Sequence, residues 1–322
     1  MSVRSTLTRA SVLIAAGLAA ALALSACGSS DPLASSSSSS TASAAASSRA
    51  SGSESASGEI VIGSANFPES AVIANIYAEA LKAKGVDVST KLNIGSREIY
   101  LKALQDGSID LIPEYSGVLL QYFDPTATQV SSDDVYTALV AKTPSGLKVL
   151  AKSTAEDKDA VVVTKATADA NSLKTIADLG PVASTFVLGG PSEWETRPTG
   201  VPGLKEKYGL TFKEFKALDA GGPLTLGALT SDQIQAGNLF TTDPAITAKD
   251  LVVLEDPKNL FGAQNVLPLI NAAKASPEVQ AALDAVSAKL DTAALIELRT
   301  KVEVDKEDSA QVAQEWVAAN LQ

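Results

Sequence analysis

The chain has no histidine, and its single cysteine is Cys27. A Ser-His-Asp triad, a Cys-His pair and a histidine-ligated zinc are therefore excluded. The one methionine is the initiator. Carboxylate-only chemistry survives this filter, as does oxygen-only binding of calcium or magnesium. Glu193 with Glu195, and Asp157 with Asp159, are spaced two apart and share a face of an extended chain. That spacing alone specifies no reaction. No aspartate-rich calcium loop and no glycine-rich phosphate loop is present. Catalytic residues, cofactors and a metal are not expected, and a binder is favoured over an enzyme.

The N-terminus carries Arg4 and Arg9, then an apolar run from about Val12 to Leu24, then Leu24-Ser25-Ala26-Cys27. A charged start, a short apolar stretch and small residues before a cut mark a secretory signal. The apolar run is too short for a permanent membrane span. Leu-Ser-Ala-Cys resembles a bacterial lipobox, which implies cleavage after residue 26 and lipidation of Cys27. Residues 27–58 are mostly Ser, Ala, Gly and Thr. Such a segment buries too little to offset its ordering entropy and reads as a flexible spacer reaching about 30 Å. The expected location is extracytoplasmic, anchored to the membrane by lipidated Cys27. The formal charge is −11, and losing a signal with two arginines makes the mature chain more acidic. Nucleic acid and anionic lipid are not expected as partners.

The folded body from Glu59 onward alternates strand and helix. Glu59–Gly63 reads as a buried strand, and Pro68 opens a helix that ends at Lys84-Gly85. A strand over Val86–Leu92, a helix over Ser96–Asp106 and a strand at Asp110–Ile112 follow. This order implies a parallel sheet with crossover helices. The pattern restarts with strands at Ala160–Val163, Thr185–Leu188, Phe215–Leu218, Gln233–Phe240 and Leu251–Leu254. Gly189-Gly190 reads as the end of the second of these, and Pro244–Lys249 as a short helix. A strand at Gln264–Leu269 precedes helices at Pro277–Leu290, Thr292–Thr300 and Lys306–Leu321. The expectation is an α/β chain of two lobes with two hinge crossings. Residues 59–156 plus 264–322 form one lobe and 157–263 the other. A site is expected between them, at the carboxyl ends of strands.

Several segments resemble one family. They are Ile62-Gly63-Ser64-Ala65-Asn66-Phe67-Pro68-Glu69, Gly107 through Ile112-Pro113-Glu114-Tyr115-Ser116-Gly117, Val201-Pro202-Gly203-Leu204, Tyr208-Gly209-Leu210 and Phe240-Thr241-Thr242-Asp243. In order and spacing they are similar to the substrate-binding proteins of ABC importers for glycine betaine, choline and related osmoprotectants. The resemblance implies a type II periplasmic-binding-protein fold whose cleft closes on a small zwitterionic or cationic solute. It also implies an ABC permease as partner and a monomeric receptor.

A quaternary ammonium donates no hydrogen bond and is held by aromatic faces, worth about 2 kcal/mol or more when desolvated. The resemblance places Tyr115 in such a cage, with Phe67 beside it and Phe240 closing it from the second lobe. Thr241 and Thr242 are donors to the ligand in this picture, and Asp243 caps the next helix. Backbone N–H groups at Asn66 and Phe67 suit a ligand carboxylate; the Asn66 side chain adds a donor or caps the helix. Trp194 faces a cation or anchors its loop. Arg197 clamps a ligand carboxylate or pairs with Glu193 or Glu195. Trp316 reads as packing. The chain departs from the family where relatives carry a tyrosine before the second lobe, since Asp159 stands there with Asp157 two residues earlier. No second cage tyrosine occurs near Gly221–Thr225. Two aspartates can hold a cation by charge instead, or are solvated hinge residues. Beside this reading stand the same trap for an amino acid or polyamine, a carboxylate-dependent hydrolase, and a surface lipoprotein without a ligand.

Overall fold

Ile60 and Ile62 are fully buried on one face of their strand, and Val61, on the other face, is half-buried. They belong to a computed structural model that describes residues 58–321. The expected signal, Cys27 and nearly all of the spacer lie outside the described residues. β1 (Ile60–Gly63), β2 (Val88–Lys91), β3 (Leu111–Tyr115) and β4 (Leu147–Val149) open a first sheet. β5 (Asp159–Thr164), β6 (Val187–Pro191), β7 (Glu214–Leu218), β8 (Ala236–Phe240) and β9 (Leu251–Val253) make a second. β10 (Val266–Asn271) returns the chain to the first.

The two sheets repeat one design. Their strand orders are β2-β1-β3-β10-β4 and β7-β6-β8-β5-β9. In each, four strands share one direction and the fourth in the row runs antiparallel to both neighbours. The parallel expectation thus holds for β1 to β3 but not for whole sheets. β10 and β5 enter from the opposite lobe, and this reverses their direction. The two connecting segments pair with each other: Asp157 N–H donates to Gln264 O at 3.2 Å and Val266 N–H to Ala155 O at 3.0 Å. The hinge is a short two-stranded ribbon bridged at Glu156 and Asn265.

Each sheet is buried on both faces. Val72, Ile76, Leu283 and Val312 pack the helices Pro68–Lys82, Pro277–Ser287, Thr292–Arg299 and Ser309–Asn320 on one side of the first sheet. Leu101, Leu104, Leu119 and Leu139 pack Arg97–Gln105, Ser116–Phe123 and Ser132–Lys142 on the other. The last two helices and β4 are additions to the sequence reading. Ser116–Phe123 starts directly on the last residue of β3 with no turn residue between, and Ser132–Lys142 buries only Val135 and Leu139. Gly189-Gly190 lies inside β6 rather than after it. A Cβ on Gly189 would stand 2.5 Å from Ile234 Cδ1, so these glycines mark close packing within a strand. Asp308 caps the last helix, which starts three residues later than expected. Trp316 packs against the first core.

Gly117 marks the tightest seam between the first lobe and the hinge. A Cβ there would lie 2.5 Å from the backbone oxygen of Ala263, which also accepts from Ser116 Oγ at 3.2 Å. Backbone cannot yield as a side-chain tip can. Gly117→Ala is expected to cost about 1–3 kcal/mol, as overpacking does. The check is a lower urea midpoint with unchanged far-UV circular dichroism.

Candidate functional site

A cavity of about 180 Å³ lies between the two lobes. The ends of β3, β6, β7 and β8 reach it through Tyr115, Pro191, Leu218 and Phe240. Ligands of open α/β sheets bind at such strand ends. The volume is below the range of about 300–1,000 Å³ typical of drug-sized ligands, so a small solute fits the space.

Three rings form one continuous wall. Phe67 lies between the others, its centroid 6.1 Å from Tyr115 and 5.4 Å from Phe240. Gly221 lets Phe240 approach: its φ is +63°, and a Cβ would stand 2.8 Å from the Phe240 ring. The Tyr115 hydroxyl is not free for a ligand. It donates to Glu69 Oε1 at 2.6 Å, and burial with the Glu69 charge pushes its pKa well up. The other Glu69 oxygen accepts from the Thr242 hydroxyl at 2.6 Å. Thr242 in turn accepts from Arg299 at 2.9 Å. Glu69 and Arg299 belong to the first lobe and Thr242 to the second, so this buried chain fixes the hinge and one ring together.

The acids near Arg299 are unequal. Burial pushes Asp157 well above the usual carboxylate range, and Glu69 adds to this, against Arg299 and the Thr242 N–H. Burial also raises Asp243, against Arg299 and its bond from Ala245 N–H. Burial works against the charge on Arg299, but Glu69, Glu303 and Asp157 hold it protonated.

A second buried pair lines the cavity. Arg97 Nε and Nη2 donate to the two oxygens of Glu114, each at 2.8 Å. Glu114 also accepts from the Tyr100 hydroxyl at 2.7 Å and from the Tyr115 N–H at 3.0 Å. Asp159 accepts from Asn238 Nδ2 at 2.9 Å. Burial raises its pKa; Asn238, Arg197, Arg97 and Trp194 act in the opposite direction. The buried Trp194 indole N–H has no hydrogen-bond partner among the described residues.

The structure brings together Asn66, Phe67, Tyr115, Asp157, Asp159, Arg197 and Phe240 around the cavity. It places three expected residues elsewhere. Trp194 is buried and stacked on Phe261 at 6.1 Å, as a loop anchor. Thr241 takes the Lys158 N–H at 2.9 Å and faces Asp157, and Thr242 is committed to Glu69, so neither lines the cavity. Asn66 N–H donates to Gly95 O at 3.3 Å and is not open to an anion, and its side chain does not cap the helix. Asp243 is not the cap of the next helix, whose N-cap is Pro244; it accepts from Ala245 N–H at 2.8 Å in a local turn just before it. Arg197 pairs with neither neighbouring glutamate. It grips Glu98 across the cleft, with bonds of 3.0–3.2 Å to both oxygens. Glu193 lines the cavity and Glu195 does not. Sequence reasoning missed Glu69, Arg97, Glu98 and Glu114. For Glu69 and Glu114 the signal was present, since both stand in the quoted motifs.

Comparison with known proteins gives a consistent answer. A family model described as the substrate-binding domain of ABC-type glycine betaine transport system, OpuAC, matches residues 58–319. A glycine-betaine-binding protein of Pseudomonas aeruginosa is 25% identical over 270 residues, covering 80% of this chain and 86% of its own. The glycine betaine-binding protein YehZ of Escherichia coli is 24% identical over 276 residues, covering 81% and 90%. A crystal structure described as a glycine betaine/carnitine/choline ABC transporter superposes with a TM-score of 0.64 at 23% identity, over 81% of this chain and 98% of that one. The two-sheet architecture with two crossings is the periplasmic-binding-protein fold of these proteins.

The Arg197–Glu98 pair has a pH signature. Burial opposes ionisation of Glu98, but hydrogen bonds and charge from Arg197 outweigh it and bring the carboxyl down to about 2. A lowered native pKa contributes stability that is present above the ordinary value of 4.5 and is lost as pH falls through about 2. The stability difference between the parent chain and Glu98→Gln is expected to be constant above that ordinary value and to vanish toward the lower one. Urea melts across this pH range check it, and solvent exposure keeps the effect small.

Proposed function

Because this chain belongs to the OpuAC family of substrate-binding domains of ABC-type glycine betaine transport systems, we propose that its interlobe cavity captures a quaternary-amine osmoprotectant for an ABC permease. The observation that carries this reading is the ring wall of Phe67, Tyr115 and Phe240 beside the carboxyls of Asp157 and Asp159. A trimethylammonium group offers no N–H, only a diffuse positive charge on an apolar surface. Aromatic faces meet both properties at once. The rings touch each other, so they form one wall rather than a box. Beside the wall Asp157 and Asp159 offer carboxyl oxygens to the cation, although burial raises the pKa of both.

Binding needs no covalent step, and the protein acts as a carrier rather than an enzyme. Solute taken between the lobes adds contacts to both, which favours the joined arrangement over a separated one. The narrow hinge ribbon lets the lobes move as rigid bodies, while the Glu69–Thr242 bond favours the joined arrangement. Release then requires a partner that prefers the separated lobes, the role of the permease.

In this reading Cys27 is the lipid attachment point and residues 28–58 the tether that lets the receptor reach its permease. Cys27→Ser is expected to shift the protein from the membrane fraction to the soluble one and to abolish labelling by radioactive palmitate. Retention of label in that variant contradicts the anchor.

Isothermal titration with glycine betaine tests the site. Tyr115→Ala and Phe240→Ala are each expected to weaken binding at least about tenfold, a loss of about 1.4 kcal/mol. Tyr115→Phe keeps the ring, losing only the Glu69 bond, and is expected to lose less than Tyr115→Ala. Unchanged affinity in both alanine variants places the ligand elsewhere.

A further inference from the structure

A clasp of buried charge joins the lobes behind the aromatic wall. Arg299, on the first lobe, sends every nitrogen of its guanidinium to an acceptor. Nε donates to Glu303 Oε1 at 2.6 Å, Nη2 to Glu303 Oε2 at 3.3 Å and Nη1 to the Thr242 hydroxyl oxygen at 2.9 Å. Nη2 also stands 3.5 Å from Asp243 Oδ2, and Nη1 stands 3.8 Å from Glu69 Oε2. Thr242 and Asp243 belong to the second lobe; Arg299, Glu303 and Glu69 belong to the first. Glu69, Thr242, Asp243 and Arg299 are all buried.

The placement of these residues is particular. The helix Thr292–Arg299 gives way after Arg299 to a short π-helix, Thr300–Val304, an uncommon geometry that recurs at functional sites. On the second lobe, Thr242 comes just after β8, which ends at Phe240. On the first lobe, Glu69 holds the Tyr115 hydroxyl. One cavity ring from each lobe is thus tied to the same cluster. A charge cluster that served folding alone has no need to cross between lobes, since Glu303 and Glu69 balance Arg299 within the first. Separating the lobes would pull Thr242 away from both Arg299 and Glu69 and take the counter-charge from Asp243. Breaking a buried charged contact is costly, so the cluster favours the joined arrangement whether or not a solute is present.

We propose that Arg299 is a positioning residue that holds the lobes joined before the solute arrives and so sets Tyr115 against Phe240. Solute affinity then depends on residues that never touch the solute. An apparent dissociation constant is the intrinsic one divided by the competent fraction of molecules. Weakening the clasp lowers that fraction, and affinity falls in the same proportion. The proposal goes beyond the quaternary-amine reading, and its first readout is independent of which solute is bound.

Spin labels at Lys102→Cys and Lys205→Cys, an exposed site on each lobe, report the lobe separation in a Cys27→Ser background free of other thiols. Distances are measured by double electron–electron resonance without solute and with saturating glycine betaine. The parent chain is expected to show mainly the short distance in both conditions. Thr242→Val removes the hydroxyl that Arg299 and Glu69 share, and Asp243→Asn removes the ion pair across the lobes. Each is expected to add a longer distance without solute, which saturating glycine betaine suppresses. Calorimetry is expected to show affinity reduced about threefold or more, by the same factor as the joined fraction. Arg299→Lys keeps the charge but not the fork and is expected to lie between the parent and Thr242→Val. Thermal melts confirm that each variant is folded. Parent lobes that stand mostly apart without solute overturn the proposal, as do Thr242→Val and Asp243→Asn variants that keep the parent distances. Affinity lost at an unchanged joined fraction also overturns it. A parent chain that binds no glycine betaine, with variants that still separate, supports the clasp and overturns the quaternary-amine reading.

Discussion

The carboxylate of Glu69 is the constraint around which the site is built. It stands in the first turn of the Pro68–Lys82 helix, where the helix dipole favours a negative charge. It is 1% exposed, so its two oxygens must be fully occupied. One takes the hydroxyl of Tyr115 and the other the hydroxyl of Thr242. Through the first it sets the position of a cavity ring. Through the second it ties the first lobe to the second. Arg299, supplied by a C-terminal helix, balances the charge from 3.8 Å. The long return of the chain to the first lobe therefore delivers a structural charge as well as the fifth strand of its sheet.

Buried charge elsewhere follows the same rule of full pairing. Arg97 and Glu114 satisfy each other inside the first lobe, and Arg197 and Glu98 meet at its rim. Removing one partner from the former strands a charge in a dry setting, whereas the latter is partly solvated and worth less. Such pairs leave the aromatic wall and the aspartates as the surfaces with chemistry to offer a solute.

Local signals carried much of the fold. Ile60-Val61-Ile62-Gly63 followed by Pro68-Glu69 declares strand, turn and helix within ten residues, and the sequence motif ending in Pro-Glu-Tyr marks the end of β3. Glycines misled where they serve packing: Gly189-Gly190 continues a strand because Ile234 occupies the space a side chain would need. Helices at Ser116–Phe123 and Ser132–Lys142 escaped notice because one lacks a start signal and the other a strong apolar face. The site was legible where it is aromatic and obscure where it is ionic. Phe67, Tyr115 and Phe240 stand in recognisable segments. Arg97 and Glu98 are informative only through partners 17 and 99 residues away, which no local pattern reveals. Thr241 and Thr242 carried the correct chemistry, hydrogen bonding at the lobe boundary, but their hydroxyls serve protein carboxylates rather than the cavity.

The most direct measurement is a crystal structure of the purified protein grown with saturating glycine betaine. Density for the solute in the interlobe cavity, its methylated nitrogen against the Phe67, Tyr115 and Phe240 rings, is the result this account predicts. An empty cavity at saturation, or the solute bound away from those rings, would contradict it.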